Sequence, residues 1–349
     1  MLQRCLEDLE RRIDDGVEAR LYADWRDFVD GGFTGDIFSP NRNNSDHPGF
    51  DWPQVRVNGT LTDIDAMLLQ QYGACSDLLE QGTDQLLCVR ANYGTAILPS
   101  LFGVEYFIMD DELNTLPTNW PIAGGLDGIK ALLDRGLPDM NLGYGEKVFQ
   151  VGERFMEIAK AYPKIGRHVH IYHPDLQGPM DVCELLWGSE IFVDIMDEPE
   201  LVKDLLELVT ETYIRFLRKW DAIVSPPTDG YAVHWAMLHK GHIMLRDDSA
   251  MNFSPDMYRE FIMPHDQRLL KEFGGGALHF CGRGDHYITL AAEMSGLSAV
   301  NMSQPEYNDM EVIFQNTIDK GLRLLRLTRA AAEEALATGR ALHGSVHSS

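Results

Sequence analysis

A histidine and a cysteine stand two residues apart in the stretch GALHFCGRGDH, which covers residues 276–286. Side chains at positions i and i+2 of a β-strand point to the same side, so His279 and Cys281 are expected to share one space, about 7 Å apart along the backbone. Imidazole and thiolate are donors that zinc favours. Gly282 and Gly284 then allow a sharp turn. The stretch predicts two metal ligands at a strand end; the alternative is a core cysteine beside a satisfied histidine.

Helix-like and strand-like segments alternate through most of the chain. The stretches DQLLCVRANYG, GALHFCG, LSAVNMS and GLRLLRL have the composition of short buried strands, with helix-like segments between them. Such alternation implies parallel strands joined by crossover helices. The absence of a GxGxxG or Walker A loop counts against an open nucleotide-binding sheet. We therefore expect an α/β protein: a single (β/α)8 TIM-type barrel at residues 61–349, preceded by an N-terminal helical and loop extension at residues 1–60.

The charge balance limits the classes of partner. The 349 residues carry a formal net charge of −24, which counts against nucleic acid and anionic membrane surfaces as partners. The five cysteines show no framework spacing, as expected of free thiols in a reducing compartment. No stretch reads as a signal peptide or as the run of about 18 apolar residues that a membrane helix needs. These features predict a cytoplasmic protein.

Three segments carry a resemblance to a known family. LHFCGRGDHYITLAAEMSGLSAVNMS resembles the His-x-Cys-Gly segment of the uroporphyrinogen decarboxylase superfamily, and looks closer to its cobalamin-dependent methyltransferase branch, the methylcobalamin:coenzyme M type. IMLRDDSAMNFSPDMYREFIMPHDQRLLKEFG and HPDLQGPMDVCELLWGSEIFVDIMDEPELVKDLLELV are similar to two further segments of that superfamily. The resemblance covers roughly residues 60–325. It implies a barrel enzyme with zinc, a small-molecule substrate, methylcobalamin on a partner corrinoid protein, and a homodimer.

Departures from the decarboxylases narrow the expected reaction. Members that decarboxylate uroporphyrinogen carry an arginine-bearing RQAGRY loop and a catalytic aspartate after the second strand. Here Arg42 is the only arginine in the corresponding loop, and Asn92 and Tyr93 stand in place of the carboxylate. We therefore expect a zinc-dependent methyltransferase that moves a methyl group between a corrinoid protein and a small thiol or related acceptor. A decarboxylase or lyase on another carboxylated substrate, and a non-catalytic metal or tetrapyrrole binder, are the alternatives.

The third metal ligand is missing from the expected pattern. In the methyltransferase branch a later cysteine completes the zinc site, but this chain has no cysteine after Cys281. His347 and His343 lie in the stretch where that cysteine would stand, and an imidazole can replace a thiolate. Asp247 and Asp248 are the other candidates. We predict His347 as the third ligand.

The remaining site predictions rest on polar residues at strand ends, where barrel enzymes place their active sites. Tyr172, Asp175 and His234 are also open to structural readings, as turn or packing residues. We predict Asn92, Tyr93 and Asp248 as catalytic residues, and Tyr172, Asp175 and His234 as substrate-binding residues.

Overall fold

A six-stranded parallel sheet forms the centre of the protein, as seen in a computed structural model that describes residues 1–43 and 45–348. The strands of this sheet follow the order β1-β12-β11-β10-β9-β8, and each neighbouring pair is parallel. The other strands form a parallel pair, β2–β5, and two antiparallel pairs, β3–β4 and β6–β7. The strands are β1 (Ile37–Phe38), β2 (Cys88–Val89), β3 (Tyr106–Phe107), β4 (Thr118–Asn119), β5 (His170–Ile171), β6 (Tyr231–His234), β7 (Met237–Lys240), β8 (Ile243–Arg246), β9 (Gly276–Phe280), β10 (Leu297–Met302), β11 (Arg323–Leu325) and β12 (Val346–His347).

Helices connect the strands from β8 to β12 one after another, which is the alternation expected for parallel neighbours. The α-helices are α1 (Leu2–Arg12), α2 (Asp15–Asp30), α3 (Val57–Thr60), α4 (Ile64–Gln81), α5 (Ile97–Leu101), α6 (Gly125–Arg135), α7 (Gly145–Ala161), α8 (Pro163–His168), α9 (Pro179–Trp187), α10 (Ile191–Asp197), α11 (Pro199–Ile223), α12 (Pro255–Met257), α13 (Met263–Glu272), α14 (Ile288–Ala291), α15 (Met310–Asn316) and α16 (Arg329–Ala337). Short 3₁₀-helices lie at Gly94–Ala96, Asp111–Leu113, Asp248–Asn252, Pro305–Tyr307 and Ile318–Lys320, and a π-helical turn lies at Tyr258–Ile262.

The expected α/β class agrees with this sheet, but one closed eight-stranded barrel is not confirmed. β2 and β5 are only two residues long and pair with each other alone. On the β8 edge of the large sheet, the Met244 N–H donates to the ring Nε2 of His173 at 3.3 Å instead of to a strand carbonyl. Gly178 N–H bonds Arg246 O at 2.9 Å just beyond. Side-chain and loop contacts therefore replace a continuous strand ladder at this edge.

The first sixty residues contribute directly to the sheet. β1 pairs with β12, and Ser348 N–H donates to Phe38 O at 3.1 Å. Trp25 of α2 is fully buried and donates from its indole N–H to Asp84 O at 2.9 Å. Within the expected extension, then, at least one strand and one helix share the core of the rest of the chain.

The β6–β7 hairpin packs against the large sheet, with β7 in contact with β9 and β10. Small side chains on those strands, Ala277 and Ala299, leave room for it. The cluster that it completes is apolar and buried, and includes Leu21, Trp25, Phe28, Val233, Met237, Leu238, Met244 and Leu325. The hairpin thus covers the sheet and carries its own turn, at Trp235 and Ala236, toward the carboxyl end of β9.

Every helix within the described residues is too short or too polar to span a lipid bilayer.

The open end of the hairpin gives a test of this packing. Gly230 and Gly241 both have left-handed backbones, with φ of 85° and 83°, and are joined by a 2.9 Å hydrogen bond. A Cβ on Gly241 would stand 2.1 Å from the carbonyl carbon of Gly275, whereas a Cβ on Gly230 would meet nothing within 4 Å. We expect Gly241→Ala to lower the free energy of unfolding by about 2–4 kcal/mol, and Gly230→Ala by about 1 kcal/mol.

Urea-induced unfolding of both variants measures the difference. Equal losses for the two glycines would contradict the close approach of the hairpin to the start of β9.

Candidate metal centre

His279 is oriented by a row of residues that crosses the sheet. The strand register places it beside Arg246 of β8 and Asn301 of β10, and Asn301 beside Leu325 of β11. The His279 Nδ1–H donates to Asn301 Oδ1 at 2.7 Å, and Asn301 Nδ2 donates to Leu325 O at 2.8 Å. Because the asparagine amide is fixed by the second bond, the lone pair of His279 is on Nε2. Burial lowers the pKa of His279 and favours the neutral ring, which is the form that binds metal.

Cys281 follows the last residue of β9 and lies on the same side as His279. Its Sγ is 3.4 Å from His279 Nε2 and 3.4 Å from Ser303 Oγ. Burial raises the pKa of the Cys281 thiol to about 11, although the hydrogen bond with Ser303 acts in the opposite direction. Without a cation beside it, this thiol is protonated at neutral pH.

Asp248 begins the 3₁₀-helix Asp248–Asn252 after β8, and its side chain lies beside those of His279 and Cys281. Its Oδ1 accepts the Cys281 N–H at 2.7 Å and lies 3.7 Å from His279 Nε2. Asp181 fixes the turn, because its carboxylate accepts the backbone N–H groups of Asp248 and Ser249 at 3.1 Å and 2.8 Å. These bonds hold the Asp248 carboxylate beside the end of β9.

These three side chains fit one metal ion. Among the described residues, Asp248, His279 and Cys281 are the one group of three or more His, Cys, Asp or Glu side chains whose ligand atoms lie within 4.8 Å of one another. Zinc bonds of about 2.0–2.3 Å at tetrahedral angles separate neighbouring ligand atoms by about 3.3–3.8 Å. The observed separations of 3.4 Å and 3.7 Å agree. The group is a possible metal site, consistent with zinc and with a fourth position for another ligand.

The hairpin turn forms one wall of this site. The Trp235 ring meets the His279 ring edge to face at 4.9 Å, and the Arg246 guanidinium lies 4.6 Å from the Trp235 ring centre. Trp235 and Ala236 both have left-handed backbones, with φ of 46° and 66°. A bulky residue rarely adopts this conformation, and such strain is concentrated at functional sites. Arg326 Nη2 holds the turn by donating to Trp235 O at 2.6 Å.

His347, predicted as the third ligand, does not reach the metal group. It is fully buried, its Nε2 lies 2.9 Å from Asp84 Oδ2, and its Nδ1 accepts the Arg326 N–H at 3.1 Å. Both ring nitrogens are therefore used. His347 therefore lies outside the possible metal group, and Asp248, one of the alternatives for the third ligand, belongs to that group instead. His343 forms an ion pair with Asp319 at 3.4 Å.

The other residues predicted from sequence do not belong to the possible metal group. Tyr93 is buried and stacks on Tyr144 at 5.1 Å, which is a packing role. Asn92 has a buried Oδ1 without a hydrogen-bond partner among the described residues. The carboxylate of Asp175 pairs with both Arg90 and Arg246, so its charge is already compensated.

Tyr172 and His234 contact each other, with ring centres 5.1 Å apart. They line a cavity that none of the three possible ligands lines. The structure therefore separates these two predicted substrate-binding residues from the metal group.

Three residues of the site were not among the sequence predictions. Asn301 and Ser303 lie two residues apart in LSAVNMS, and polar residues at alternate positions of an apolar strand are a usable signal. Trp235 has no comparable signal, because its place depends on how the hairpin packs.

Comparisons with known proteins show that the chain shares its fold with a solved structure. No family model and no curated protein matches the sequence. Among solved structures, a methyltransferase from Methanosarcina mazei is similar, with a TM-score of 0.60 and 18% sequence identity over 84% of this chain and 81% of that one. At this identity the similarity shows a shared fold and does not establish an activity.

Metal content tests the site directly. We expect about one zinc ion per chain in protein purified without chelators. Cys281→Ala and Asp248→Asn remove ligands and are expected to lower the zinc affinity at least tenfold, as measured by competition with a chromogenic chelator. His347→Gln and Cys88→Ala, which change a histidine and a thiol outside the group, are expected to retain zinc. Zinc loss in His347→Gln with an intact fold would contradict the assignment of Asp248.

The reactivity of Cys281 tests its surroundings in the metal-free protein. Because burial raises its pKa to about 11, the reactive thiolate is scarce at neutral pH and increases as the pH rises. Its rate of alkylation by iodoacetamide, followed by peptide mass spectrometry, is expected to rise about a hundredfold from pH 8 to pH 10. Ser303→Ala removes a bond that lowers the pKa, so the rise is expected at still higher pH. A plateau already at pH 9 would count against this account.

Proposed function

We propose that this protein is a zinc-dependent methyltransferase that moves a methyl group from a corrinoid, carried by a separate protein, to a small thiol. The observation that supports the proposal most is the convergence of Asp248, His279 and Cys281 at the ends of β8 and β9. A nitrogen, a sulfur and an oxygen donor with one open position is the composition of a catalytic zinc site. The fold shared with a methyltransferase agrees with this proposal.

The three side chains would hold the ion, and Asn301 would keep His279 in its ligating orientation. Zinc supplies one effect when bound, which is to lower the pKa of an acceptor thiol at the open position. A corrinoid bound here would supply the methyl group to the acceptor sulfur and would keep the electron pair of the broken cobalt–carbon bond. The thiol proton passes to solvent. Trp235 would exclude water from one side of the acceptor.

We also propose that the large sheet and the β2–β5 pair are parts of a (β/α)8 barrel of the uroporphyrinogen decarboxylase type. Hydrogen bonds from Gly178 and Met244 connect the β5 region to β8, as adjacent barrel strands would require. In such a barrel Asn92, which follows β2, would lie at the same end as the metal group. The Asn92 Oδ1, which has no hydrogen-bond partner among the described residues, would then be available to a substrate donor.

Methyl transfer from free methylcobalamin to a panel of small thiols tests the proposal. We expect a thioether product, detected by mass spectrometry, whose rate of formation falls at least a hundredfold in Cys281→Ala. Cys88→Ala, which removes another free thiol, is expected to keep the wild-type rate.

Two negative results have different meanings. Stoichiometric zinc without transfer to any thiol would contradict the acceptor class and leave the metal site in place. Transfer that persists at the wild-type rate in zinc-free Cys281→Ala would contradict the role of the metal.

A further inference from the structure

A cavity of about 220 Å³ lies apart from the metal group, between β5, the β6–β7 hairpin and the end of α11. Four histidines line it: His170, His173, His234 and His242. His170 is the first residue of β5, and His242 immediately precedes β8. The possible metal ligands instead follow the last residues of β8 or lie at the end of β9. The cavity therefore lies around β5 and beside the start of β8, and its lining includes none of the possible metal ligands.

A chain of hydrogen bonds fixes which nitrogen of His234 carries the proton. His239 Nδ1–H donates to Lys240 O at 3.0 Å, so His239 Nε2 is an acceptor. It accepts the His234 Nδ1–H at 2.7 Å. The lone pair of His234 is therefore on Nε2. This atom is buried and has no partner in the described structure, and the whole residue is only 1% exposed.

His242 is similar. Its Nε2–H donates to Asp221 Oδ1 at 2.9 Å, and its buried Nδ1 has no partner within the described residues. His173, in contrast, donates to Pro174 O and accepts the Met244 N–H, so both of its nitrogens are used. Burial lowers the pKa of His234, and it lowers the pKa of His170 to about 4. The wall thus presents two buried nitrogens, His234 Nε2 and His242 Nδ1, that have no hydrogen-bond partner among the described residues.

Aromatic rings and carboxylates make the surroundings favourable to a cation. Trp220 lines the cavity, and its ring can contact a positive group, whereas the Tyr172 ring already has the Arg90 guanidinium 5.9 Å from its centre. Asp221 stands behind His242. Arg167 is the only lysine or arginine among the residues that line it, and Asp15 pairs with it at 2.6 Å. No lysine lines the cavity among the described residues, and Arg246, whose charge acts on His234 from beyond the lining, is paired with Asp175.

A neighbouring cavity of about 540 Å³ extends the acidic surroundings. It shares Arg167 and His170 with the first cavity and adds Glu18 and Asp229 to the lining. Glu18 is neutralised by Arg42, whereas the partners of Asp229 among the described residues are the Tyr22 hydroxyl, at 3.0 Å, and the Tyr231 N–H, which both donate to it. A cation approaching through this side meets the Asp229 carboxylate, which interacts with the charge of Arg26 but forms no ion pair within the described residues.

We propose that the histidine-lined cavity is a binding site for a small organic ammonium ion, whose N–H groups donate to His234 Nε2 and His242 Nδ1. Such an ion supplies the donors that these nitrogens lack and the charge that the carboxylates and rings favour. The site is independent of zinc and of methyl transfer.

Isothermal titration with ethanolammonium chloride tests the proposal, with ethylene glycol as the uncharged probe of similar size. We expect saturable binding of one ethanolammonium per chain and at least tenfold weaker binding of the glycol. Cys281→Ala is expected to bind as the wild type does, because the metal group does not line the cavity. No saturable binding, or equal affinity for both compounds, would overturn the ammonium assignment.

Two variants locate the bound ion. His234→Phe removes the acceptor, and Ser225→Trp fills the rim from an exposed loop position. Each is expected to weaken ethanolammonium binding at least tenfold. If the buried substitution prevents folding, as circular dichroism would show, Ser225→Trp decides the question alone. Unchanged affinity in a folded Ser225→Trp protein would overturn the location.

Discussion

The hydrogen bond between His279 and Asn301 is the interaction on which the candidate metal centre depends. It sets the tautomer of a buried imidazole, and it exists because β9 and β10 pair in a register that brings these residues together. A one-residue slip of either strand would turn one of the two side chains to the opposite face of the sheet. The same register aligns Leu325, whose carbonyl fixes the asparagine amide. The sheet thus stabilises the fold and determines which nitrogen faces Cys281 and Asp248.

The hairpin adds a second constraint on the same histidine. Two consecutive non-glycine residues, Trp235 and Ala236, adopt left-handed backbones at its turn. Such conformations cost of order 1–3 kcal/mol each and persist only where surrounding contacts hold them. Here Arg326 bonds the turn carbonyl and Arg246 lies over the indole. The strained turn therefore also sets the position of the Trp235 ring against His279. Arg246 connects the turn to β8, and Arg326 connects it to the end of β11.

Local patterns allowed part of this to be predicted from sequence. The period-two spacing of His279 and Cys281 identified a shared face, and the alternation of helices and strands identified the parallel α/β class. Asp248 was predicted as catalytic and named only as an alternative third ligand, because no local pattern shows that the pairing of β8 with β9 brings it to His279, 31 positions later. His347 was chosen because it stands where a cysteine was expected. Its actual partner, Asp84, is distant in sequence, and no local pattern indicates that pair.

Whether the strands close into a barrel is the part of the fold that is hardest to predict from sequence, because it also depends on contacts between distant segments. Strand closure depends on backbone ladders between segments that are far apart, and two-residue strands such as β2 and β5 give little periodic signal. His173 illustrates the difficulty, because its ring accepts the N–H that a strand carbonyl would otherwise bond. That use of a side chain occupies His173, whereas His234, beside it at 4.3 Å, has a buried nitrogen without a partner among the described residues. His173 thus belongs both to the interruption of the ladder and to the lining of the histidine-lined cavity.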